Sequence, residues 1–296
     1  MQLTWLIIDA ATVFIAAWVL LQVSRKAEYG AVELFVKWGV YVFTLVVGTG
    51  VLLGAMGQFS PLGFRSAHLA IFLGVVGWRG SRIGADFRES RALLARRLAH
   101  LRGDPLARYA LLMVLIFLLA TAFLAMAGEP GIYDSLTYRL SRIGHWLQEG
   151  RLGFMATNDA RQNYMPVVPE VVMAWLLGGT DSGYRGAALA QWCGGVLLLT
   201  ATVGLARQLG LSRFAALGAA LLVAGCANVA PQFTSTHTDL FTSGLVAAAF
   251  YLWRTEANRG RGSVMAGVAG GLALGAKGTV FYLLPTLALW ALWYGW

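Results

Sequence analysis

The residues best suited to chemistry lie in one polar stretch, GEPGIYDSLTYRLSRIGHWLQEGR, at residues 128–151. Apolar side chains recur there at the spacing of an amphipathic α-helix, at Leu136, Leu140, Ile143 and Leu147. The same spacing puts polar side chains on a neighbouring stripe, at Asp134, Tyr138, Arg142 and His145. A carboxylate, a phenol and arginines held at a membrane surface have the charges and donors to act on a lipid phosphate.

Each of these residues also has an ordinary structural role open to it. Asp134 opens the predicted helix, where a carboxylate often caps free backbone N–H groups. Tyr138, Arg139 and Arg142 can equally form the polar face of an interfacial helix. The stretch alone does not choose between these roles and chemistry.

A second candidate region is the loop PQFTSTHTD, which ends in Asp239 just before an apolar run. Asp239 is again placed to cap a helix. His237 and Asp239, two residues apart on one loop, make a poor metal site. We predict no cofactor, and a divalent metal stays open as an alternative that the sequence does not support.

Two further cationic features are candidates for phosphate binding. Lys277, in GLALGAKGT, can bind a phosphate or simply extend towards the membrane interface. Arg161, Gln162 and Tyr164 precede Pro166, and this RQxY run can bind a phosphate or a sugar or anchor its loop. Both alternatives stay open for each feature.

The elements that must position these residues are membrane helices. Of the 296 residues, 58% are hydrophobic and 12% are charged, whereas a soluble domain carries about 25% charged residues. Eleven Trp and ten Tyr are typical of interfacial aromatic belts. The net charge of +9 does not indicate nucleic-acid binding, because the arginines lie in short loops between apolar runs. We therefore predict an all-α, polytopic membrane protein that contacts membrane lipids.

Nine apolar runs are candidate spans, since crossing a bilayer takes about 20 apolar residues. They cover 3–23, 35–56, 62–78, 109–127, 186–206, 214–230, 240–253, 264–276 and 279–295. The first lacks a preceding basic residue and is longer than a signal-peptide core, which indicates an uncleaved anchor. Gly267, Gly271 and Gly275 form overlapping GxxxG patterns, which predict close helix packing.

The segment 165–177 decides the topology, because it is apolar but short and contains Pro166 and Pro169. If it lies in the outer interface, most of the 23 Lys and Arg fall on the cytoplasmic side, as the positive-inside rule favours. Residues 128–185 then form one long external loop with amphipathic juxtamembrane helices. This arrangement places every candidate site residue at the exterior face.

Three units follow from this reading of the chain. Residues 1–78 form an N-terminal three-span unit, and residues 109–296 form the part that carries the candidate site. Between them lies a basic cytoplasmic linker, 79–108, whose eight arginines favour contact with anionic lipid.

The order of features from residue 109 to 295 resembles that of a known family. An external loop contains YDSLTYRLSRIGHWLQEG, a proline-bearing apolar helix follows, and ARQLG, an external TDL and a Gly-rich helix ending in AKG come in turn. This ordered set resembles the GT-C polytopic membrane glycosyltransferases, especially bacterial family-39-like enzymes related to protein O-mannosyltransferases and aminoarabinose transferases. Residues 1–108 have no counterpart in the resemblance.

The resemblance implies an inverting sugar transfer from a polyprenyl-phosphate donor to a lipid, glycan or protein acceptor at the periplasmic face of a bacterial inner membrane. Asp134 matches the family's catalytic carboxylate, Asp239 its second acidic residue, and Lys277 a lysine near the lipid phosphate. Two departures matter. Ser135 stands where many members have a second acidic residue, and relatives continue beyond residue 296. We therefore expect a C-terminally truncated member, and a truncated enzyme can be inactive.

Two other classes of function stay open. A transporter or flippase for a lipid-linked or anionic solute places ionisable residues inside its spans, which are nearly free of charge here; Asp9 lies close to one end. A non-catalytic membrane subunit predicts that Asp134 and Asp239 lie far apart. The enzyme predicts that both lie near one external cavity with Lys277 at its rim.

Overall fold

The computed structural model describes residues 2–24, 29–178, 184–260 and 262–283, together with 285–286, 288–289 and 292. These residues form helices, turns and loops and contain no β-strand, which confirms the all-α prediction. Of the predicted span 279–295, residues 284, 287, 290–291 and 293–295 lie outside the described residues, and its start, 279–283, lies in a 3₁₀ turn.

Eleven α-helices are formed by the described residues. They are α1 (Gln2–Ser24), α2 (Ala31–Ala55), α3 (Pro61–Arg102), α4 (Pro105–Ala127), α5 (Leu140–Glu149), α6 (Arg161–Tyr164), α7 (Val168–Leu177), α8 (Leu189–Gln208), α9 (Arg213–Gly225), α10 (Asp239–Ala257) and α11 (Val264–Ala276). A π-helical turn, Ser135–Arg139, leads into α5, and 3₁₀ turns cover Ala230–Thr234 and Gly278–Leu283.

Four of these helices, α1, α2, α4 and α8, are long and apolar enough to cross a membrane. They coincide with four predicted spans, so the chain has the character of a membrane protein. Three further apolar helices, α7, α9 and α11, have 10, 13 and 13 residues. Helix α10 has 19 residues but carries charge at both ends.

Helix α3 is one continuous element of 42 residues, which joins the third predicted span to most of the predicted linker. The linker therefore begins inside a helix and not at its end. The cause is local, because the segment RESRALLARRLAHLR is rich in the strong helix formers Arg, Ala and Leu. The following helix starts at Pro105, with the Asp104 carboxylate accepting the Ala107 N–H at 3.0 Å.

Close packing of α8 against α10 depends on glycine. A Cβ atom on Gly194 would lie 2.2 Å from the Phe241 backbone, and one on Gly244 would lie 2.2 Å from the Gly194 carbonyl oxygen. The GxxxG prediction was wrong for two of its glycines, because a Cβ atom on Gly267 or Gly271 would meet no described atom within 4 Å. The close approach occurs at glycines outside the GxxxG patterns, so the facing helix decides where two helices approach closely.

The predicted N-terminal unit shares one hydrophobic core with the later helices. Helix α2 packs against α7, α8, α10 and α11. Buried side chains of α2, such as Val40 and Phe43, lie in the same cluster as Val171, Leu197 and Phe241. Helix α2 thus supports the short helix α7.

Candidate functional site

Asp134 lies where the chain enters the π-helical turn, and its carboxylate is not a helix cap. Its side chain is 39% exposed and accepts from the Tyr138 hydroxyl at 3.3 Å and from Arg161 Nη1 at 3.4 Å. The carboxylate is thus held by two side chains and remains open to solvent. Of the two roles predicted for Asp134, the cap is not adopted.

The π-helical turn corrects the predicted helical spacing. A π turn closes its hydrogen bonds over one residue more than an α turn, so the stripes drawn at α spacing rotate. Leu136, predicted on the apolar stripe, is 58% exposed, whereas Tyr138 and Arg142, predicted on the polar stripe, are buried. Such turns occur frequently at functional sites.

The Tyr138 phenol stays a hydrogen-bond donor over the ordinary pH range. Burial, together with the charge of Asp134, raises the pKa of Tyr138 to about 12, although the nearby Arg139 acts in the opposite direction. The phenol is therefore protonated near neutral pH and donates to Asp134.

Arg161 is held beside Asp134 by a second carboxylate. Asp159 accepts from Arg161 Nε at 2.9 Å and from Nη2 at 2.7 Å. The hydrogen bond from Arg161 keeps the pKa of Asp159 below its usual value, and Asp159 raises the pKa of Arg161. The guanidinium also stacks near the rings of Tyr133 and Tyr138, at 5.6 and 4.7 Å from their centroids. Arg161 is thus oriented before any ligand arrives.

Arg139 and Arg142 lie in the interior and are bound to Glu170. Glu170 Oε1 accepts from Arg139 Nη1 at 2.7 Å and lies 3.0 Å from Arg142 Nη2. Glu170 and Arg142 are fully buried, so neither arginine meets a ligand directly without a rearrangement. Sequence reasoning missed Glu170, although the signal was available: it is the lone charge in the apolar segment 165–177.

The other residues of the RQxY run differ in their environments. Gln162 is buried and donates from Nε2 to the Thr137 carbonyl at 3.2 Å, which ties α6 to the π-helical turn. Tyr164 is 66% exposed and belongs to the rim of the region. The run thus combines an arginine oriented by Asp159, a buried amide that joins two elements and an exposed aromatic ring.

Asp239 is the first residue of α10, and it too makes no cap hydrogen bond. Its carboxylate is hydrogen-bonded to the Lys277 ammonium, and the two side chains are 42% and 37% exposed. His237 is partly buried, and its imidazole makes no hydrogen bond to any described residue. Among the described residues, no three His, Cys, Asp or Glu side chains gather in a metal-binding arrangement.

Direct contacts bring the two loops together. Ser135, the neighbour of Asp134, is hydrogen-bonded to Thr236, three residues before Asp239, and both hydroxyls are buried. The backbone N–H of Phe241 donates to Gln191 Oε1 at 3.0 Å, which fixes the start of α10 on α8. Asp134 and the Asp239–Lys277 pair therefore belong to one end of the bundle.

A groove with a volume of about 620 Å³ opens at the Asp239–Lys277 pair. It follows α10 as far as Arg254, and its walls are mostly apolar, including Leu205, Val246, Phe250 and Leu283. Fifteen residues of helix rise by about 22 Å, so the groove is long enough for an extended hydrocarbon chain.

The opposite end of α10 carries a different set of charges. Lys37 lies 2.8 Å from Glu33 and 2.9 Å from Glu256, and Arg259 binds both oxygens of Glu33 at 2.9 Å. Lys37 and the two glutamates are buried, so this cluster joins α2 to α10. Glu256 lies 17 residues after Asp239 on α10, so the cluster is about 26 Å of helix rise away from Asp239.

No protein-family model, no curated protein and no solved structure matches the chain.

Proposed function

We propose that this protein is an inverting glycosyltransferase that moves a sugar from a polyprenyl-phosphate donor to an acceptor hydroxyl or amine outside the cytoplasm. The observation that supports the proposal most is the contact of Ser135 with Thr236, which draws the loops of Asp134 and Asp239 together. Both carboxylates are partly exposed, and neither is used as a helix cap. A non-catalytic subunit gives no reason for two loops that each carry a partly exposed carboxylate to contact each other.

The proposal includes nine spans, an external loop at 128–185 and a site that faces the periplasm of a bacterial inner membrane. Helix α7 supports this topology, because its 10 residues rise by about 15 Å, half of a hydrocarbon core. Gly178 at its end lies against Pro61, and Val168 at its start lies against Gly275. The topology puts both neighbours at the external face.

Asp134 acts as the general base in the proposed reaction. Its carboxylate takes the proton of the acceptor O–H or N–H as the acceptor atom forms a bond to the anomeric carbon. The bond from that carbon to the phosphate oxygen breaks, and the electron pair leaves with polyprenyl phosphate. Attack from the face opposite the leaving group inverts the anomeric centre. Tyr138 and Arg161 orient the carboxylate.

The donor fits the groove along α10 with its phosphate at Lys277. One ammonium has three N–H donors and Asp239 takes one, so the others can meet a phosphate. The apolar walls then cover the isoprenoid tail. A fixed cation beside the leaving phosphate stabilises the charge that develops there.

The test is incubation of the purified protein with a panel of polyprenyl-phosphate sugars and acceptors, with release of free polyprenyl phosphate as the readout. Asp134→Asn should lower turnover by about 10²–10⁴-fold, the usual contribution of a positioned base. Glu149→Gln is the matched control, since Glu149 is an exposed acid of the same segment, 128–185, and pairs with exposed Arg151. Near-normal turnover of Asp134→Asn removes Asp134 from the proposed role.

One observation favours a transporter of lipid-linked or anionic solutes as the second candidate. Asp9 in α1 and His68 in α3 form a buried pair at 2.8 Å, and Trp175 Nε1 donates to the same carboxylate at 2.8 Å. Buried ionisable pairs among membrane helices often mark transport pathways. Solute flux into proteoliposomes without release of polyprenyl phosphate would favour this candidate.

A further inference from the structure

The amphipathic helix α5 and the short helix α7 meet at a buried group of three charges, Arg139, Arg142 and Glu170. One Glu170 oxygen is shared by both guanidinium groups, at 2.7 and 3.0 Å. Buried charges persist only where counter-charges and hydrogen bonds satisfy them. The positions of the three side chains therefore depend strongly on one another.

Arg142 carries this restraint to the chain that follows α6. Its Nη1 donates to the Met165 carbonyl at 2.8 Å, and its Nη2 donates to the Pro166 carbonyl at 3.0 Å. Because a guanidinium is planar and rigid, the contact with Glu170 fixes the plane in which these donors point. The ring of Trp146, 4.8 Å away, supports the same orientation.

The segment held in this way delivers Arg161 to the candidate base. Arg161 opens α6, four residues before Met165, and its guanidinium contacts Asp134 and the Thr137 hydroxyl at 3.4 Å each. Gln162 ties the same helix to the Thr137 carbonyl. Helix α6 is thus fixed on one side by the π-helical turn and at its end by Arg142.

We propose that Glu170 is a positioning residue for Asp134. Glu170 holds Arg142, Arg142 holds the 162–166 segment, and this segment places Arg161 beside Asp134. The inference rests on the proposed role of Asp134 as the base. Helix α7 suits this task, because Val168 in its first turn packs against Gly275, two residues before Lys277. One short helix therefore sets the positions of both the base and the phosphate-binding lysine.

A double-mutant cycle on transfer activity distinguishes positioning from general support of the fold. Glu170→Gln and Arg161→Gln should each lower kcat by about 10–100-fold, the range expected when a catalytic group is misplaced by about 1 Å. The kcat of the double variant should lie within about threefold of the kcat of the less active single variant, because both substitutions disrupt the same chain of contacts to Asp134. Losses that multiply in the double variant overturn the proposal.

Hydrogen exchange of backbone amides tests the restraint without any assay of transfer. In Glu170→Gln, amides of 155–165 should exchange at least about 10-fold faster, while those of α8 and α10 stay unchanged. Unchanged exchange in 155–165 overturns the proposal. If the native protein transfers no sugar, the proposed function fails, and exchange alone decides whether Glu170 holds the segment.

A second variant keeps the test usable if Glu170→Gln does not fold. Arg139→Gln combined with Glu170→Gln restores the native net charge of the cluster but leaves Arg142 without its carboxylate. We expect this variant to fold and still to exchange rapidly at 155–165. Native-like exchange would mean that Glu170 only balances charge, and the positioning role would be refuted.

Discussion

Replacement of Lys277 by methionine removes the cation at the mouth of the groove and keeps a side chain of similar length. In the native protein the ammonium is bound to Asp239 and is 37% exposed. The variant therefore takes away the attraction for a donor phosphate and also frees a carboxylate that repels it. Both effects weaken donor binding.

The magnitude follows from Coulomb's law and the exposure of the lysine. Two unit charges 4 Å apart attract by about 4 kcal/mol at an effective dielectric constant of about 20, and by about 1 kcal/mol in water. Since Lys277 is 37% exposed, solvent screens much of this energy, and a loss of about 1–2 kcal/mol is expected. That loss corresponds to a rise in KM for the donor of about 5–30-fold.

The assay is the donor dependence of polyprenyl-phosphate release at low salt. Lys277→Arg should retain most of the affinity, because it keeps the charge. Arg151→Gln is the matched control, since Arg151 is a well-exposed cation paired with Glu149 away from the groove. An unchanged KM in Lys277→Met, or an equal rise in Arg151→Gln, would contradict the assignment of the phosphate to Lys277.

Three further outcomes are expected. Gly194→Val should destabilise the fold by about 1–3 kcal/mol through overpacking against α10, whereas Gly267→Val should leave the melting temperature unchanged, because a Cβ atom on Gly267 meets no described atom within 4 Å. Lys37→Met should lower the unfolding free energy by up to about 3 kcal/mol, because two buried glutamates lose a partner. With a pKa of about 12, the Tyr138 phenol should lose no proton below about pH 10, so Tyr138→Phe should lower the rate without moving the alkaline limb of its pH profile.

Composition and apolar run length predicted the helical class and the positions of four long helices, because each depends on local sequence alone. The 42-residue length of α3 was not predicted, since an apolar window ends where charges begin, although helix propensity continues. Of the three glycines predicted to allow close packing, Gly275 lies against Val168, but Gly267 and Gly271 were wrongly assigned. Gly194 and Gly244 face each other across two helices, and no pattern within one helix records that pairing.

In the candidate site too, local sequence predicted which residues are polar, and tertiary contacts decided their environments. The sequence singled out Asp134, Asp239 and Lys277 as polar residues at the ends of apolar runs, but their contacts depend on the tertiary fold. Sequence spacing treated Arg142 as part of an exposed face, whereas its contacts with Glu170 and with the Met165 and Pro166 carbonyls hold it in the interior. Its partner Glu170 is distant in sequence, so a local pattern gave no reason to join the two.

The two ends of α10 explain why chemistry is assigned to one end and support to the other. In the cluster of Lys37, Glu33 and Glu256, every charge is buried and has an opposite charge within 3 Å. These charges lost their hydration when the protein folded, and a ligand that replaced one of them would also have to lose its own hydration. Asp134 and Asp239 instead keep 39% and 42% of their side-chain surface, so a ligand can replace water at modest cost. A base and a phosphate site both need a charge that is partly exposed and held by fixed donors. Of the two ends of α10, the end at Asp239, near Asp134, has such charges, and the end at Glu256 has buried ones.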